Sequence, residues 1–467
     1  MKTILKIFGG FILLISIGSC SKDDFEPLDP CKSVHNYNNG MINSYSNEVV
    51  LQWNELLSQS VDQQLPQPTE VKLYAMVTLA MHDALNNVVP KYETYALDNA
   101  NADASRITKK NIHAIADAAV SQAAHDMMVQ LYPLATASAD SLLSQVLMGI
   151  AESDLRTRGI DVGRKAAAAV LDKRKSDFPL AFVSYPGGTA PGEYRVDYPP
   201  FVNATPVWPA NAVFAPNLGS LTPFGIKSGD QFRDDEAPYP LNSKEYVADY
   251  NEVKSLGCKD CPGRTSEQTE IGAFWVETSS SYMNRMARAL VEQRKLNGWE
   301  AARLIGLIQM SLIDAYIASF EGKYHHKTWR PITAIRNGDS DGVDATVGDA
   351  GWEPVFNTPP TPNFPSTHAY GAAAAAAVFK SYFKSDQINL NVTSPYHLPG
   401  VERNIRSFSQ MAYESSVSRI YIGYHFRQDV EVGQRQGKKL GKYVYENNLR
   451  EMNQCNMEEN MSASPEM

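Results

Sequence analysis

Cysteine is scarce: the 467-residue chain has five. That excludes a small scaffold held together by a dense disulfide framework. Cys258 and Cys261 form Cys-Lys-Asp-Cys, while Cys31 and Cys455 stand near opposite ends. In an oxidising compartment these four suit two disulfides, whose pairing the sequence leaves open. No second Cys-x-x-Cys and no nearby His cluster argues for zinc, and no strand–helix pattern argues for a thioredoxin-type site. Basic charge is also in deficit. Forty-three Lys and Arg against 52 Asp and Glu give a net charge of −9, which makes nucleic acid a poor partner. Past the N-terminal segment no uninterrupted apolar run reaches the twenty residues of a bilayer span. No repeat of 20–50 residues is visible, and strand-like alternation is rare.

The N-terminal segment reads as a targeting signal. Lys2 and Lys6 flank an apolar run over residues 7–17 that is short for a bilayer span and reads as a secretory signal. It ends in Ile17-Gly18-Ser19-Cys20, which resembles a bacterial lipobox. That resemblance implies cleavage after residue 19 and lipidation of Cys20. Ser21-Lys22-Asp23-Asp24 resembles the acidic tag that sends lipoproteins of some Gram-negative bacteria to the outer face of the outer membrane. A plain signal peptide with a chance cysteine is the alternative. Removing residues 1–19 takes away Lys2 and Lys6 and no acid, so −9 becomes −11. The expected protein is an exported lipoprotein that meets the membrane through its lipid alone.

After the signal (1–19) and a polar tether (20–45), helical periodicity dominates. Val49, Val50, Trp53, Leu56 and Leu57 begin it, and 70–87, 109–131, 137–156 and 161–175 continue it. Residues 178–242 are rich in Pro and Gly with scattered aromatics; a loop this long is a lid or a passive cover over the helices. Helical pattern returns at 243–256, 267–277 and 281–296. Residues 298–322 carry Ala302, Ile305, Ile308, Leu312 and Ala315 at intervals of three or four. A loop (324–365), an alanine-rich helix (366–383), another loop and a helical pair over 401–448 follow. The expected fold is all-α: one large helical bundle over residues 46–452 with long irregular loops and a polar tail at 453–467.

Three clusters carry chemistry. Pro365 disfavours helix at Phe364, and Ser366 is a natural N-cap for the alanine helix. Ser366, Thr367 and His368 thus occupy a first turn with unpartnered backbone N–H groups and a positive dipole end, which suits an anion. An ordinary capped core helix is the bland alternative. Upstream, Lys323 ends the 298–322 helix, and Pro331 keeps Arg330 out of helical geometry. A lysine point charge and an arginine fork both suit a tetrahedral oxyanion. His325 and His326 lack metal-ligand spacing and read as rim or surface. Downstream, Arg419 and His425 are six apart, about 120° around a straight helix. They converge only if the helix breaks, and Gly423 is where it can. Asp429 lies one turn after His425 and can brace it, or the two form a purely structural i,i+4 pair. Together the clusters offer three cations, a hydroxyl, a helix N-terminus and two histidines, a set suited to an oxyanion pocket in which one histidine attacks or ligates and the other moves a proton.

Lys-x6-Arg-Pro, Pro-Ser-x-His and Ser-Arg-x5-His, in this order, resemble the signature shared by vanadium-dependent haloperoxidases and type-2 phosphatidic acid phosphatases. Trp53-Asn54-Glu55, Met81-His82-Asp83-Ala84, the Tyr185–Tyr194 segment, Pro223-Phe224, Phe274-Trp275 and Trp329–Arg336 extend the likeness to bacterial haloperoxidase-type sequences. The resemblance implies a helical haloperoxidase fold and a vanadate cofactor with His425 as its protein ligand. It implies that Lys323, Arg330 and Arg419 neutralise the vanadate oxygens, with Ser366 and the Thr367 N–H donating to them. His368 would move the proton when hydrogen peroxide binds, and Lys323 would polarise the peroxide for attack by halide. Bromide or iodide is favoured over chloride, with an unidentified organic acceptor. The sequence departs from the family pattern at Thr367, where glycine is usual. Thr361, seven residues before His368, stands where an aromatic or His is frequent; with Phe320 it is expected to line the halide side.

An exported acid phosphatase on the same scaffold is the second reading: His425 becomes a phosphohistidine nucleophile braced by Asp429, with no cofactor. A non-catalytic oxyanion-binding lipoprotein is the third, although such a protein has no need of both histidines. The sequence leaves the oligomeric state open and allows a homodimer.

Overall fold

The computed structural model describes residues 40–196, 209 and 211–452. Cys20, Cys31, Cys455 and the 453–467 tail lie outside the described residues. Helices account for most of the described chain, all of which falls in one unit, Asn36–Met452. The first half is built from α1 (Glu48–Val61), α2 (Gln67–Val88), α3 (Ile112–Leu131), α4 (Thr136–Met148) and α5 (Asp154–Lys173). Then come α6 (Lys244–Leu256), α7 (Ser266–Phe274), α8 (Ser279–Arg294), α9 (Gly298–His326), the short α10 (Pro331–Arg336), α11 (Thr367–Phe383), α12 (Phe408–Tyr421) and α13 (Arg427–Asn447).

Helix α9 is the spine of the bundle. Asn297 and Glu300 close a reciprocal capping box at its start. The helix is long and apolar enough to cross a bilayer by length and composition, although Gln309, Ser311 and Asp314 interrupt any continuous apolar run. Nearly all of that stretch is buried against other helices, as in the core helix of a globular protein.

Buried carboxylates pin the loops to the helices. Asp83 accepts the backbone N–H groups of Tyr95, Ala96 and Leu97, and Asp314 those of Phe224, Gly225 and Ile226. Each buried anion thus matches three donors that an irregular segment would otherwise leave unpaired.

Helices α11 and α13 lie unusually close, and the reason is compositional. Ala372–Ala377 give α11 a thin profile. Gly433, Gly437 and Gly441, four apart, give α13 a flat face against the carbonyls of Ser366, Tyr370 and Ala374. A Cβ at Gly437 would collide with the Tyr370 carbonyl.

Three expectations change. The span read as a loop over 324–365 holds the end of α9 and the short α10. The region read as a loop followed by a helix from 401 is instead an antiparallel hairpin, β3 (Gln387–Ser394) and β4 (Leu398–Ser407) in the numbering used here, with Leu390 opposite Ile405. Ile388, Leu390 and Val392 alternate inward along β3, so the period-two signal was present. A second small hairpin pairs β1 (Phe182–Ser184) with β2 (Ala212–Phe214) inside the Pro- and Gly-rich segment. The fold is helical with these two ribbons attached. Cys258 and Cys261 are disulfide-bonded.

Candidate oxyanion site

Lys323 occupies the last turn of α9 and is 1% exposed. Its ammonium donates to three carbonyls in the loop before α11: Pro362 at 3.0 Å, Asn363 at 2.7 Å and Pro365 at 2.7 Å. All three N–H groups are therefore used by the backbone. A ligand in the cavity meets Lys323 first as a nearby charge rather than as a free donor.

Arg330 sits one residue before α10 with an extended backbone, as Pro331 requires, and is 3% exposed. Thr361 holds its guanidinium twice: the carbonyl accepts from Nε at 2.8 Å and the hydroxyl from Nη2 at 2.9 Å. Thr361 does line the cavity, but its hydroxyl serves the arginine. Nη1 donates to the Tyr424 carbonyl at 3.1 Å and faces His425 Nε2 at 2.9 Å.

The break between α12 and α13 brings Arg419 and His425 together. Gly423 has φ +80°, a conformation glycine adopts without strain. A Cβ there would also strike the Gly257 carbonyl, Trp352 and Pro354. The N–H groups of Tyr424 and His425 both return to the Arg419 carbonyl, at 2.9 and 3.3 Å. Arg419 is 3% exposed, and its guanidinium donates to Ser418 Oγ at 3.0 Å and the Trp275 carbonyl at 2.7 Å.

A guanidinium can only donate. Nε2 of His425 is therefore the acceptor in its contact with Arg330, which places the imidazole proton on Nδ1. Nδ1 faces Asp429 Oδ2 at 3.4 Å. The same carboxylate oxygen accepts the Phe426 N–H at 2.7 Å and the Asn363 side-chain amide at 2.6 Å. Asp429 thus orients the ring from behind, and the Nε2 lone pair points away from it. Asn363, which the sequence reading passed over, ties this support to the loop that holds Lys323.

Ser366 caps α11: its Oγ accepts the Ala369 N–H at 3.5 Å, and its own N–H donates to the Asp429 carbonyl. Thr367 Oγ1 accepts from Ser319 Oγ on α9 at 2.9 Å. The Nε2 atom of His368 is buried and has no hydrogen-bond partner.

A cavity of about 200 Å³ joins these groups. Lys323, Arg330, Thr367, His368, Arg419 and His425 line it, and Tyr316, Phe320 and Phe214 form much of its apolar wall. Phe214 belongs to the 178–242 segment, so part of that segment faces the site. Ser366 and Asp429 do not line the cavity; they act on groups that do. His325 is exposed and His326 packs edge-on against Phe364, both away from the cavity.

Charge is out of balance. Among the described residues, none of the three cations forms an ion pair with a carboxylate. Burial pulls Arg330 and Arg419 down to about 10, still protonated at neutral pH. Burial and then Arg330 push Lys323 well below the ordinary lysine range, with Asp429 opposing. Burial, with Arg330, Lys323 and Arg419, drives His425 well below the usual imidazole range; burial and Arg419 do the same to His368. Burial raises Asp429 against the pull of Lys323. Positive charge packed around a small cavity, two neutral imidazoles and an unpartnered Nε2 fit a tetrahedral oxyanion. Among the described residues no group of three or more His, Cys, Asp or Glu could hold a bare metal ion.

Comparison with known proteins agrees along the chain. Residues 28–178 match the model of the vanadium chloroperoxidase N-terminal domain, and residues 303–454 that of the second helical-bundle domain of the same family. Vanadium chloroperoxidase of Curvularia inaequalis is 24% identical over 460 residues, spanning 78% of this chain and 74% of that protein. The crystal structure described as the first bacterial vanadium-dependent iodoperoxidase superposes with TM-score 0.69 at 21% identity, covering 87% of this chain and 97% of its own. A holo-type bacterial vanadium-dependent chloroperoxidase gives TM-score 0.64 at 17% identity, over 84% and 95% of the two chains.

Proposed function

The chain belongs to the vanadium haloperoxidase family, and on that premise we propose that it oxidises halide with hydrogen peroxide, using vanadate held in the cavity between α9, α11 and the α12–α13 break. The observation that carries this reading is the three buried cations, without a carboxylate ion pair among the described residues, lining one cavity with an available imidazole lone pair. Bound vanadate supplies a Lewis acid of fixed oxidation state that activates peroxide toward halide. The overall conversion takes halide, hydrogen peroxide and a proton to hypohalous acid and water.

The chain's own residues have definable tasks. His425 offers the Nε2 lone pair, and Asp429 keeps the proton on Nδ1. Arg330 Nη1, which faces Nε2, would turn to the anion once that nitrogen is engaged. Arg419 and Lys323 complete the neutralisation. His368, neutral through burial, takes or returns a proton at the ligand through its free Nε2. The wall of Tyr316, Phe320 and Phe214 limits water around these charges, which strengthens them.

Bromide and iodide are the proposed halides. The aromatic wall suits large polarisable anions. We place the protein outside the cell membrane as a lipoprotein anchored through Cys20; the Cys258–Cys261 disulfide supports an oxidising compartment.

The deciding assay gives purified protein vanadate and peroxide and follows iodide or bromide oxidation. Activity that needs vanadate is expected. Vigorous phosphate-ester hydrolysis without vanadate, and no halide oxidation with it, would replace the reading with a phosphatase. Anion binding with neither activity would leave a binding protein.

A further inference from the structure

Thr367 replaces the glycine expected from the family resemblance, and the residue lines the cavity. Steric crowding of the anion is one consequence of a β-branched residue. The hydrogen bonds indicate another. Ser319 Oγ, on α9, stands 2.9 Å from Thr367 Oγ1 and 3.2 Å from the Tyr316 carbonyl. A hydroxyl has one proton to give and two lone pairs to receive. When Ser319 gives its proton to Thr367, the proton of Thr367 has no acceptor among the described residues and is left for whatever occupies the cavity. With no anion bound, the order can reverse: Thr367 donates to Ser319, and Ser319 to the Tyr316 carbonyl. The switch turns two hydroxyl protons and moves no heavy atom.

We infer that Thr367 Oγ1 is a further donor to the bound oxyanion, held in place by Ser319. This rests on the oxyanion reading given above and adds a side-chain contact where glycine would offer only its N–H. Two independent features support it. Thr367 is the first residue of α11, so its hydroxyl lies beside the positive end of the helix dipole. The neighbouring His368, nine-tenths buried and with an unpartnered Nε2, lines the same cavity and calls for a polar occupant there. A chain from Ser319 through Thr367 to an anion also polarises each link in turn.

The test is the affinity of the purified protein for orthovanadate, measured by equilibrium dialysis without peroxide or halide. Thr367→Val keeps the shape and removes the hydroxyl; it should weaken binding roughly ten- to a hundredfold, the scale of a hydrogen bond to a charged group. Thr367→Ser should stay near wild type. Ser319→Ala should weaken binding by less than Thr367→Val, since the threonine proton survives but loses its orientation. Unfolding midpoints without anion check that the variants remain folded. Wild-type affinity in folded Thr367→Val, or tighter binding by Thr367→Gly, overturns the inference and leaves crowding as the effect of the side chain. Failure of the wild-type protein itself to bind orthovanadate overturns the functional reading along with it.

Discussion

The guanidinium of Arg330 faces the imidazole of His425 across 2.9 Å, Nη1 to Nε2. A permanent donor here means that the nitrogen meant for the ligand carries a lone pair before any ligand arrives. The arginine also blocks that lone pair until something more attractive draws it aside. Arg330→Lys keeps one charge but loses the fork that reaches Thr361 and His425 together. We expect halide oxidation to fall about a hundredfold and the unfolding midpoint to drop as well, because the buried Thr361 and Tyr424 oxygens lose donors, checked by steady-state assay and urea denaturation. His425→Ala should abolish activity in the same assay.

Asp429 does not line the cavity, so its removal tests support rather than contact. Asp429→Asn should reduce activity by roughly ten- to a hundredfold, the usual cost of losing a residue that orients a ligating histidine. The decisive readout is the pH profile of kcat, which should move along with the rate because the Nδ1 proton loses its charged acceptor. Loss of stability with an unmoved profile would assign Asp429 to folding alone.

Both cavity histidines sit well below the ordinary imidazole range. In the unfolded chain they titrate near 6.5. Below that pH the unfolded state takes up protons that the folded state refuses, so stability should decline as pH falls from about 6.5 toward the depressed folded values. Above 6.5 both states hold neutral imidazoles and this contribution flattens. Urea midpoints between pH 7.5 and 5 should show the decline, and His368→Gln should make it shallower.

The glycine face of α13 sets how near the α11 N-terminus comes to His425. Gly437→Ala should destabilise the protein by about 1–3 kcal/mol, as overpacking does. It should also weaken oxyanion binding, because Ser366, Thr367 and His368 ride on the displaced helix. Equilibrium unfolding and orthovanadate titration measure the two effects separately.

The sequence announced much of this arrangement because its signals were local. Pro331, Pro365 and Gly423 each dictate a backbone choice, and those three choices aim Arg330, Ser366 and His425. The α9 and α11 helices likewise follow from their own periodicity and caps. What stayed hidden depended on partners distant in sequence. Nothing around Thr361 says that it will hold Arg330, since the two meet only after the loop folds back. Ser319 and Asn363 look like ordinary polar residues until α9, the 362–365 loop and Asp429 converge. The Gly433-x3-Gly437-x3-Gly441 spacing was legible but easily passed over, because a helix with glycines looks weak unless a neighbour needs the room. The β3–β4 hairpin is hidden for a related reason: its period of two along 387–394 is short and stands between two long helical patterns.

Three cations gathered with no carboxylate ion pair among the described residues have a bench consequence. Phosphate resembles the intended guest in shape and charge, and it is a routine ingredient of buffers. Protein prepared in phosphate would enter an assay with the cavity already taken, and added vanadate would have to displace it before turnover began. A lag after mixing, absent in a sulfonate buffer, would be the visible sign that the protein had been answering to its storage medium.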